Sequence, residues 1–456
     1  MPILTVLGNL TGCLMPVLLL FCGAVLSRTI RIGRILRPGI FFRTLRDSAG
    51  DSPWKGLTMA LAGTLGVGNI TGVSAAMVQG GVGAVFWMWV GALFSMAVKY
   101  GEVALAMVYQ QKHKDGRAYG GMMYVIRDGL AERLGSKTAH RLGGFFAILC
   151  MVNALVTGTI VQSNAAADVL HPLPEWGSGG ILVLLLGASL IFGIGKVGDI
   201  TLRLVPAMTG IFLVLSLRVV LSHIALLPSL LAEIVREAFS LRALGGGLVG
   251  TGILQFFRQI GQSGMGLSLR YGITRGIFSN EAGCGTSPSA HASADAKSPF
   301  HQGCMGIFEV LCDTPLLCTL TALVLCIGER RYGILSGGRD NLTLRAFRLF
   351  GGDAAYGILA GIVAVFAFAT VLAQMYYGYT AIGYFNGQRR AAGIYVLLTI
   401  CCTFSGAVME PGIMWKLADF VICLMTCINT IVLLVLRREI GDTVPSAIRM
   451  KRKKDG

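Results

Sequence analysis

Residues 63–73 read GTLGVGNITGV. They sit in the middle of an apolar stretch, 56–77, long enough to be a membrane helix. Gly costs a helix interior roughly 1 kcal/mol relative to Ala, and Gly63, Gly66, Gly68 and Gly72 fall here together, with Asn69 among them. Two readings fit. One is close packing of helix on helix through small residues. The other is a discontinuous helix, whose unwound carbonyls and N–H groups are tolerated at mid-membrane only where they line a cavity or bind something. Asn69 favours the second, because a polar amide at a break meets a ligand more readily than lipid.

The surrounding chain makes the membrane setting plain. Of 456 residues, 54% are hydrophobic and only 14% charged, against about 25% charged in a soluble protein. Its 62 glycines suit helices packed through small side chains. The apolar runs are continuous over about twenty residues and do not alternate, which excludes a β-barrel. The fold class is an all-α polytopic membrane protein. About eleven spans are expected, near 3–26, 56–77, 82–108, 143–168, 180–195, 202–222, 250–278, 303–327, 355–378, 392–408 and 413–436. The first has no Lys or Arg before Arg28 and no small-residue cleavage site, so it reads as a span and not a leader.

A net charge of +16 would suit nucleic acid, but its distribution argues for a membrane. Arg28, Arg31, Arg34, Arg37, Arg43 and Arg46 lie in the first loop. Lys112, Lys114, Arg117, Arg127, Arg133 and Lys137 lie in the third, and Arg389 and Arg390 in the ninth. Arg437, Arg438, Arg449, Lys451, Arg452, Lys453 and Lys454 fill the tail. With eleven spans all four clusters share one side, which the positive-inside rule makes the cytoplasm. The N-terminus is then outside and the C-terminus inside. Arg330, Arg331, Arg339, Arg345 and Arg348 dissent. The expected organisation is an additional N-terminal helix (1–27), a basic cytoplasmic loop (28–55), a ten-helix core (56–436) and a basic tail (437–456). The twelve cysteines show no metal-type spacing, and most fall in spans, where they act as small apolar residues. No phosphate-binding GxxxxGK[ST] loop, HExxH or GxSxG occurs, so neither an ATP motor nor an enzyme is expected.

A second interruption follows at 270–291, RYGITRGIFSNEAGCGTSPSAH, with Gly272, Gly276, Gly283 and Gly285 beside Arg275, Asn280 and Glu281. Without the first span, the two interruptions fall in the first and sixth of ten helices. Gly-interrupted helices in corresponding positions of two halves point to the binding site of a secondary transporter.

Beyond this point the residues resemble the alanine or glycine:cation symporters over nearly the whole chain. GTLGVGNITGVSAAMVQGGVGAVFWMWVGALFSMAVKYGEVALAMVY, from Gly63, resembles the family's first core helix and the next one. GGMMYVI at 120–126 resembles its GG-x-x-Y loop. RGIFSNEAGCGTSPSAHASA, from Arg275, is close to its signature RG-x-FSNEAG-x-G-x-x-P-x-AHAAA, and PFHQG and CDT, at 299–303 and 312–314, also fit. The resemblance implies the fold of the amino-acid–polyamine–cation superfamily, a LeuT-type five-plus-five inverted repeat with broken core helices 1 and 6. It also implies a prokaryotic plasma membrane and sodium-driven import of small neutral amino acids such as alanine, glycine or serine, with no cofactor beyond the coupling ion.

Roles follow on physical grounds. A zwitterion needs donors for its carboxylate, and the half-helix N-terminus after the first break supplies N–H groups at Gly68, Asn69 and Thr71. Carbonyls around Gly63 to Gly66 and near Phe278 are candidates for the ammonium or for sodium, with Thr370. The resemblance puts Gln162 at a position that faces the pocket; an interhelical hydrogen bond is its alternative. Trp87 and Trp89 read as interface anchors, and Lys99 and Glu102 as a structural pair on one helix. Arg275 and Glu281 are ionisable at membrane depth, hence gate or ion-pair candidates.

The eighth core helix, AFATVLAQMYYGY at 367–379, departs from the pattern. The family has a Ser–Thr pair, then a Trp four residues after the Thr, then YYGE. Here Ala369 precedes Thr370, Gln374 stands at the Trp position and Tyr379 replaces the Glu. One hydroxyl ligand for sodium is lost, and an amide replaces an indole. A proton-coupled relative, or one carrying a larger polar amino acid such as glutamine, is therefore the alternative, with Gln374 facing the cavity or bonding a neighbouring helix. A non-transporting sensor or a channel is the alternative of a different class. It has no sizeable output domain and no continuous polar path to support it.

Overall fold

The computed structural model describes residues 2–48, 51–112, 118–170, 173–191, 193, 196–240, 264–336, 341–385 and 389–449. The expected span 250–278 is described only from residue 264, and Lys114, Arg117, Arg339, Lys451, Arg452, Lys453 and Lys454 lie outside the described residues. Helices of ten residues or more are α1 (Pro2–Ile30), α2 (Pro38–Asp47), α3 (Asp51–Thr64), α4 (Thr71–Gly80), α5 (Ala84–Val108), α6 (Ser136–Val169), α7 (Glu175–Ile191), α8 (Val197–Ser222), α9 (Leu227–Ala238), α10 (Gly264–Asn280), α11 (Pro299–Tyr332), α12 (Leu342–Gly383), α13 (Arg389–Val408) and α14 (Pro411–Val435). The only strands among the described residues are the two-residue pair Gln111–Lys112 and Ala118–Tyr119.

Among the described residues seven helices are long and apolar enough to cross a membrane: α5, α6, α8, α11, α12, α13 and α14. The α1 stretch Leu14–Ile30 and α7 are apolar but shorter. The protein is an all-helical membrane protein. The expected stretch 56–77 is two helices, α3 and α4, separated by a tight turn at Leu65–Ile70. The expected span 355–378 is the second part of α12, which bends sharply at Gly352 (φ 68°). Helices α2 and α9 occupy connections read from the sequence as loops. Both are amphipathic, burying Phe41 and Leu45 in α2, and Leu230 and Ile234 in α9.

Packing centres on α5, which touches α1, α10 and α11. Helix α3 lies against α8 and α12, and α6 against α12. The glycines of the second interruption divide between the two readings. Gly272 and Gly276 do not break their helix, contrary to the expectation. They let α10 press onto α5: a Cβ on Gly272 would fall 2.3 Å from the Ala84 carbonyl oxygen. The break comes later, at Glu281–Ser287, where Gly283 (φ 89°) and Gly285 (φ 72°) hold conformations that side chains resist.

Candidate functional site: two helix breaks and their buried polar groups

The first break is built by close approach. Gly66 is extended between α3 and a single 3₁₀ turn, Val67–Asn69. Helices α6 and α12 press against it: a Cβ on Gly66 would fall 2.8 Å from both Gln162 Oε1 and Thr370 Oγ1. Gln162 accepts a hydrogen bond from the Val67 N–H at 3.1 Å, and Thr370 donates to the Ala62 carbonyl at 2.9 Å. Gly63, Gly66, Gln162 and Thr370 are thus brought together, though Gly63 faces Tyr377, whose hydroxyl donates to the Met59 carbonyl. Just before Gln162, α6 widens into a π-bulge at Val156–Ile160. Such bulges recur at functional sites.

On its other side the break meets a carboxylate that the sequence reading quoted in CDT and did not select. Asp313 lies fully buried in a second π-bulge, Cys312–Cys318 of α11. Its Oδ1 accepts from Asn69 Nδ2 at 2.6 Å and from Ser279 Oγ at 3.0 Å; its Oδ2 accepts from Thr314 Oγ1 at 2.7 Å. Asn280 donates to Thr314 Oγ1. Asn69 Oδ1 is buried without a partner. The backbone at Asn69 is pinned as well, since Thr321 donates to its carbonyl at 2.8 Å. Asn69 comes from the first break and Ser279 from the end of α10, so one carboxylate ties the two broken helices together. They also touch directly: Gly68 packs against Phe278 and Ser279. No Lys, Arg or His pairs with Asp313 among the described residues. The usable signal was a lone Asp inside an apolar run, which is functional by default.

The second break is held by acid groups from other helices. Glu102 of α5 accepts from the Gly283 and Gly285 N–H groups at 3.0 Å each, and from Asn429 of α14. The expected Lys99–Glu102 pair is replaced. Lys99 instead reaches Glu309 at 3.2 Å and Ser287 at 2.7 Å, while Glu102 takes the N–H groups of the chain turning at Gly283 and Gly285. Glu309 also accepts from His291.

Arg275 and Glu281 do not pair with each other. The Arg275 guanidinium stacks over Trp415 at 4.9 Å and lies 3.6 Å from Asp419 of α14. Glu281, at φ 50°, points the other way, accepting from Thr286 and from Gln374 Nε2 at 2.6 Å. Gln374 therefore bonds the second break and packs on the π-bulge, where a Gly158 Cβ would fall 2.3 Å from it; its Oε1 is buried without a partner. Phe278 lies within α10, its ring 4.9 Å from Trp415. Thr71 opens α4 and donates to the Val67 carbonyl at 2.9 Å. Trp87 and Trp89 hydrogen-bond other helices, through the Ala238 carbonyl and Thr319. Among the described residues no three His, Cys, Asp or Glu side chains are arranged to hold a metal ion.

Two helix breaks in contact with each other, clasped by polar groups from the surrounding apolar helices, are the site of a helical membrane transporter. In fold the chain resembles a crystal structure of the Eremococcus coleocola manganese transporter, with a TM-score of 0.52 at 14% identity over 90% of this chain and 83% of that one. The family model for the sodium:alanine symporter family matches residues 3–454, and the chain belongs to that family. It is 33% identical to the sodium/alanine symporter AgcS of Methanococcus maripaludis, over 85% of this chain and 83% of the relative. It is 30% identical to a Bacillus subtilis protein named a probable sodium/glutamine symporter, GlnT, over 92% and 82%. The chain is an amino-acid transporter of the symport class and not an enzyme.

Proposed function

We propose that the protein imports a small neutral amino acid, such as alanine, glycine or serine, together with sodium. The observation that carries this is the buried Asp313 carboxylate, which joins both broken helices and has no cationic side chain paired with it among the described residues. A buried anion that is hydrogen-bonded but unpaired is best balanced by a cation. A cation held there would tie its binding to the arrangement of both breaks, which is what coupling requires. Asp313, Ser279, Thr314 and the unpartnered Asn69 Oδ1 supply hard oxygen donors for it. Carbonyls at Gly63 and Gly66, with Thr370, form a second candidate cation position. The substrate carboxylate would meet the half-helix N-terminus at Gly68, Asn69 and Thr71, with Gln162, Phe278 and Gln374 around the remainder. Arg275, with Asp419 and Trp415, would close the opposite end.

This reading carries eleven spans, a five-plus-five repeat in the core 56–436, an extra helix at 1–27, and the basic segments 28–55 and 437–456 in the cytoplasm of a prokaryote. The dissenting Arg330 and Arg348 sit against acids, Glu233 at 2.9 Å and Asp353 at 2.7 Å. A second reading, a polar substrate such as glutamine or coupling to protons, draws for the substrate on the Gln374–Glu281 bond in place of an indole and on the name of the GlnT relative, and for protons on a Bacillus subtilis relative named a putative sodium/proton-dependent alanine carrier. Uptake of labelled amino acids by the purified protein in liposomes, with sodium and proton gradients set separately, tests both. Accumulation of alanine driven by sodium alone supports the first reading. Accumulation driven by protons alone, or of glutamine and not alanine, replaces it with the second, and no accumulation at all refutes both.

A further inference from the structure

Where α14 ends, the surface holds a cavity of about 450 Å³ lined by Arg133, Ile431, Leu434, Val435, Arg437 and Arg438. Two separate parts of the chain build it. Arg437 and Arg438 follow directly on the apolar span Met414–Val435. Arg133 comes from the short helix Ala131–Leu134 and is brought alongside by Glu439 at 3.8 Å. Glu439 is fixed in turn by the Tyr109 hydroxyl at 2.6 Å. Burial, and then the neighbouring Glu439 carboxylate, push the Tyr109 phenol well above its ordinary range, so it remains a donor. The joint is tight: a Cβ on Gly129 would fall 2.9 Å from Leu436.

The charge does not balance inside this cavity. Three guanidinium groups line it, and the one carboxylate engaged with them, Glu439, offsets one. Neither Arg437 nor Arg438 forms an ion pair among the described residues. The apolar side has a direction. Ile431 and Val435, 57% and 41% exposed, lie one turn apart on α14 and form a stripe running from the membrane-embedded part of the helix to the arginines. A fitting occupant is therefore anionic at one end and hydrocarbon at the other, with its charged end at the membrane edge. A guanidinium offers phosphate a pair of donors in a fixed fork.

We propose that this cavity is a binding site for an anionic phospholipid, with its phosphate between Arg133, Arg437 and Arg438 and an acyl chain along Ile431 and Val435. The proposal is independent of the amino acid and ion carried. Basic pockets between helices at a membrane surface take such head groups, and each Lys or Arg contributes about a fivefold gain in affinity.

The test uses the purified full chain, stripped of lipid and given phosphatidylglycerol, phosphatidylcholine or inorganic phosphate, with binding read by native mass spectrometry and by thermal shift. The parent should retain phosphatidylglycerol in preference to phosphatidylcholine, and should gain nothing from millimolar phosphate. The double variant Arg437→Gln/Arg438→Gln should bind phosphatidylglycerol about 25-fold more weakly, the product of two fivefold losses. Arg133→Gln, made separately, should lose about fivefold, and it keeps the question open to refutation if the double variant does not fold. Equal retention of the two lipids by the parent overturns the site, as does undiminished phosphatidylglycerol binding in the folded variants. Stabilisation by phosphate alone equal to that by the lipid would make it a site for free anions, and would also overturn the assignment.

Discussion

Replacing Asp313 with Asn separates a structural role from a cation-binding one. The substitution keeps the shape of the side chain and most of its hydrogen bonds. The amide oxygen can still accept from Asn69 and Ser279, at the positions now 2.6 and 3.0 Å away. The amide nitrogen then faces Thr314, whose hydroxyl can turn to accept. What goes is charge. Hydrogen bonds to a charged group contribute about 1.5–3 kcal/mol and neutral ones about 0.5–1.5, so the three bonds together lose about 3–4.5 kcal/mol, most of it offset because the amide no longer buries a charge. A cation bound beside the carboxylate loses more. At about 4 Å and an effective dielectric of 20, a pair of unit charges attract by about 4 kcal/mol. Part of this is retained by the amide oxygen, the hydroxyls and the carbonyls. An increase of roughly 10- to 1,000-fold in the sodium concentration needed for half-maximal uptake is therefore expected, in a protein that purifies and melts nearly like the parent. Uptake of labelled alanine into liposomes, measured against internal and external sodium, reads this directly. Asp313→Asn with the parent's sodium dependence and accumulation would refute the reasoning, and Asp313 would then be a structural acceptor only.

Further expectations follow from the contacts around the breaks. Gln162→Ala leaves the buried Val67 N–H without an acceptor and should cost about 1–3 kcal/mol of stability, read by thermal melting of the purified protein; an unchanged melt would mean that the N–H does not depend on Gln162. Gly158→Ala places a methyl 2.3 Å from both Cβ and Cγ of Gln374 and should cost about 1–3 kcal/mol of stability, most of the clash being relieved only in the double variant with Gln374→Gly; additive losses would mean that the two residues do not share the space. Ala369→Ser, restoring the hydroxyl beside Thr370, should lower the sodium concentration for half-maximal uptake, and no change would remove this position from the ion's surroundings. Cysteines placed at the exposed Arg43 and Ser446 should react with impermeant reagents from one side only, the same for both, and opposite sides would overturn the proposed orientation.

The sequence was legible wherever chemistry and chain order coincide. GTLGVGNITGV marked a break because its glycines and Asn69 conflict with an uninterrupted membrane helix, and the chain does unwind at Leu65–Ile70. The second interruption falls within the expected 270–291, but only in its later half, at Glu281–Ser287. The glycines at 272 and 276 have the same composition as breaking glycines, and only the neighbouring helix α5 decides that they serve close packing. The approach of Gln162 and Thr370 to Gly66 carried no local signal, since they lie 96 and 304 residues further along. Partner choice among buried charges was the least legible. Lys99 and Glu102 are three apart on one helix, as an ion pair should be, yet Glu102 is taken by the N–H groups of a chain segment about 180 residues away. Local spacing ranks intrahelical partners, whereas the fold brings distant ones, Glu309 to Lys99 and the freed backbone N–H groups to Glu102.

The same competition explains why the two π-bulges stand where they do. A regular α-helix presents its side chains at fixed intervals, and a π-bulge shifts that register so that a polar side chain beside it can face a break in a neighbouring helix. Widening α6 at Val156–Ile160 draws Gly158 under Gln374 and sets Gln162 against Val67. Widening α11 at Cys312–Cys318 turns Asp313 toward Asn69 and Ser279. Each bulge is a local defect opposite a larger one, and the polar atoms it re-aims meet the groups freed by the unwound turns. The breaks are therefore held by their surroundings more than by their own sequence. A substitution that returns either bulge to regular helix should disturb the site as much as loss of a residue within it.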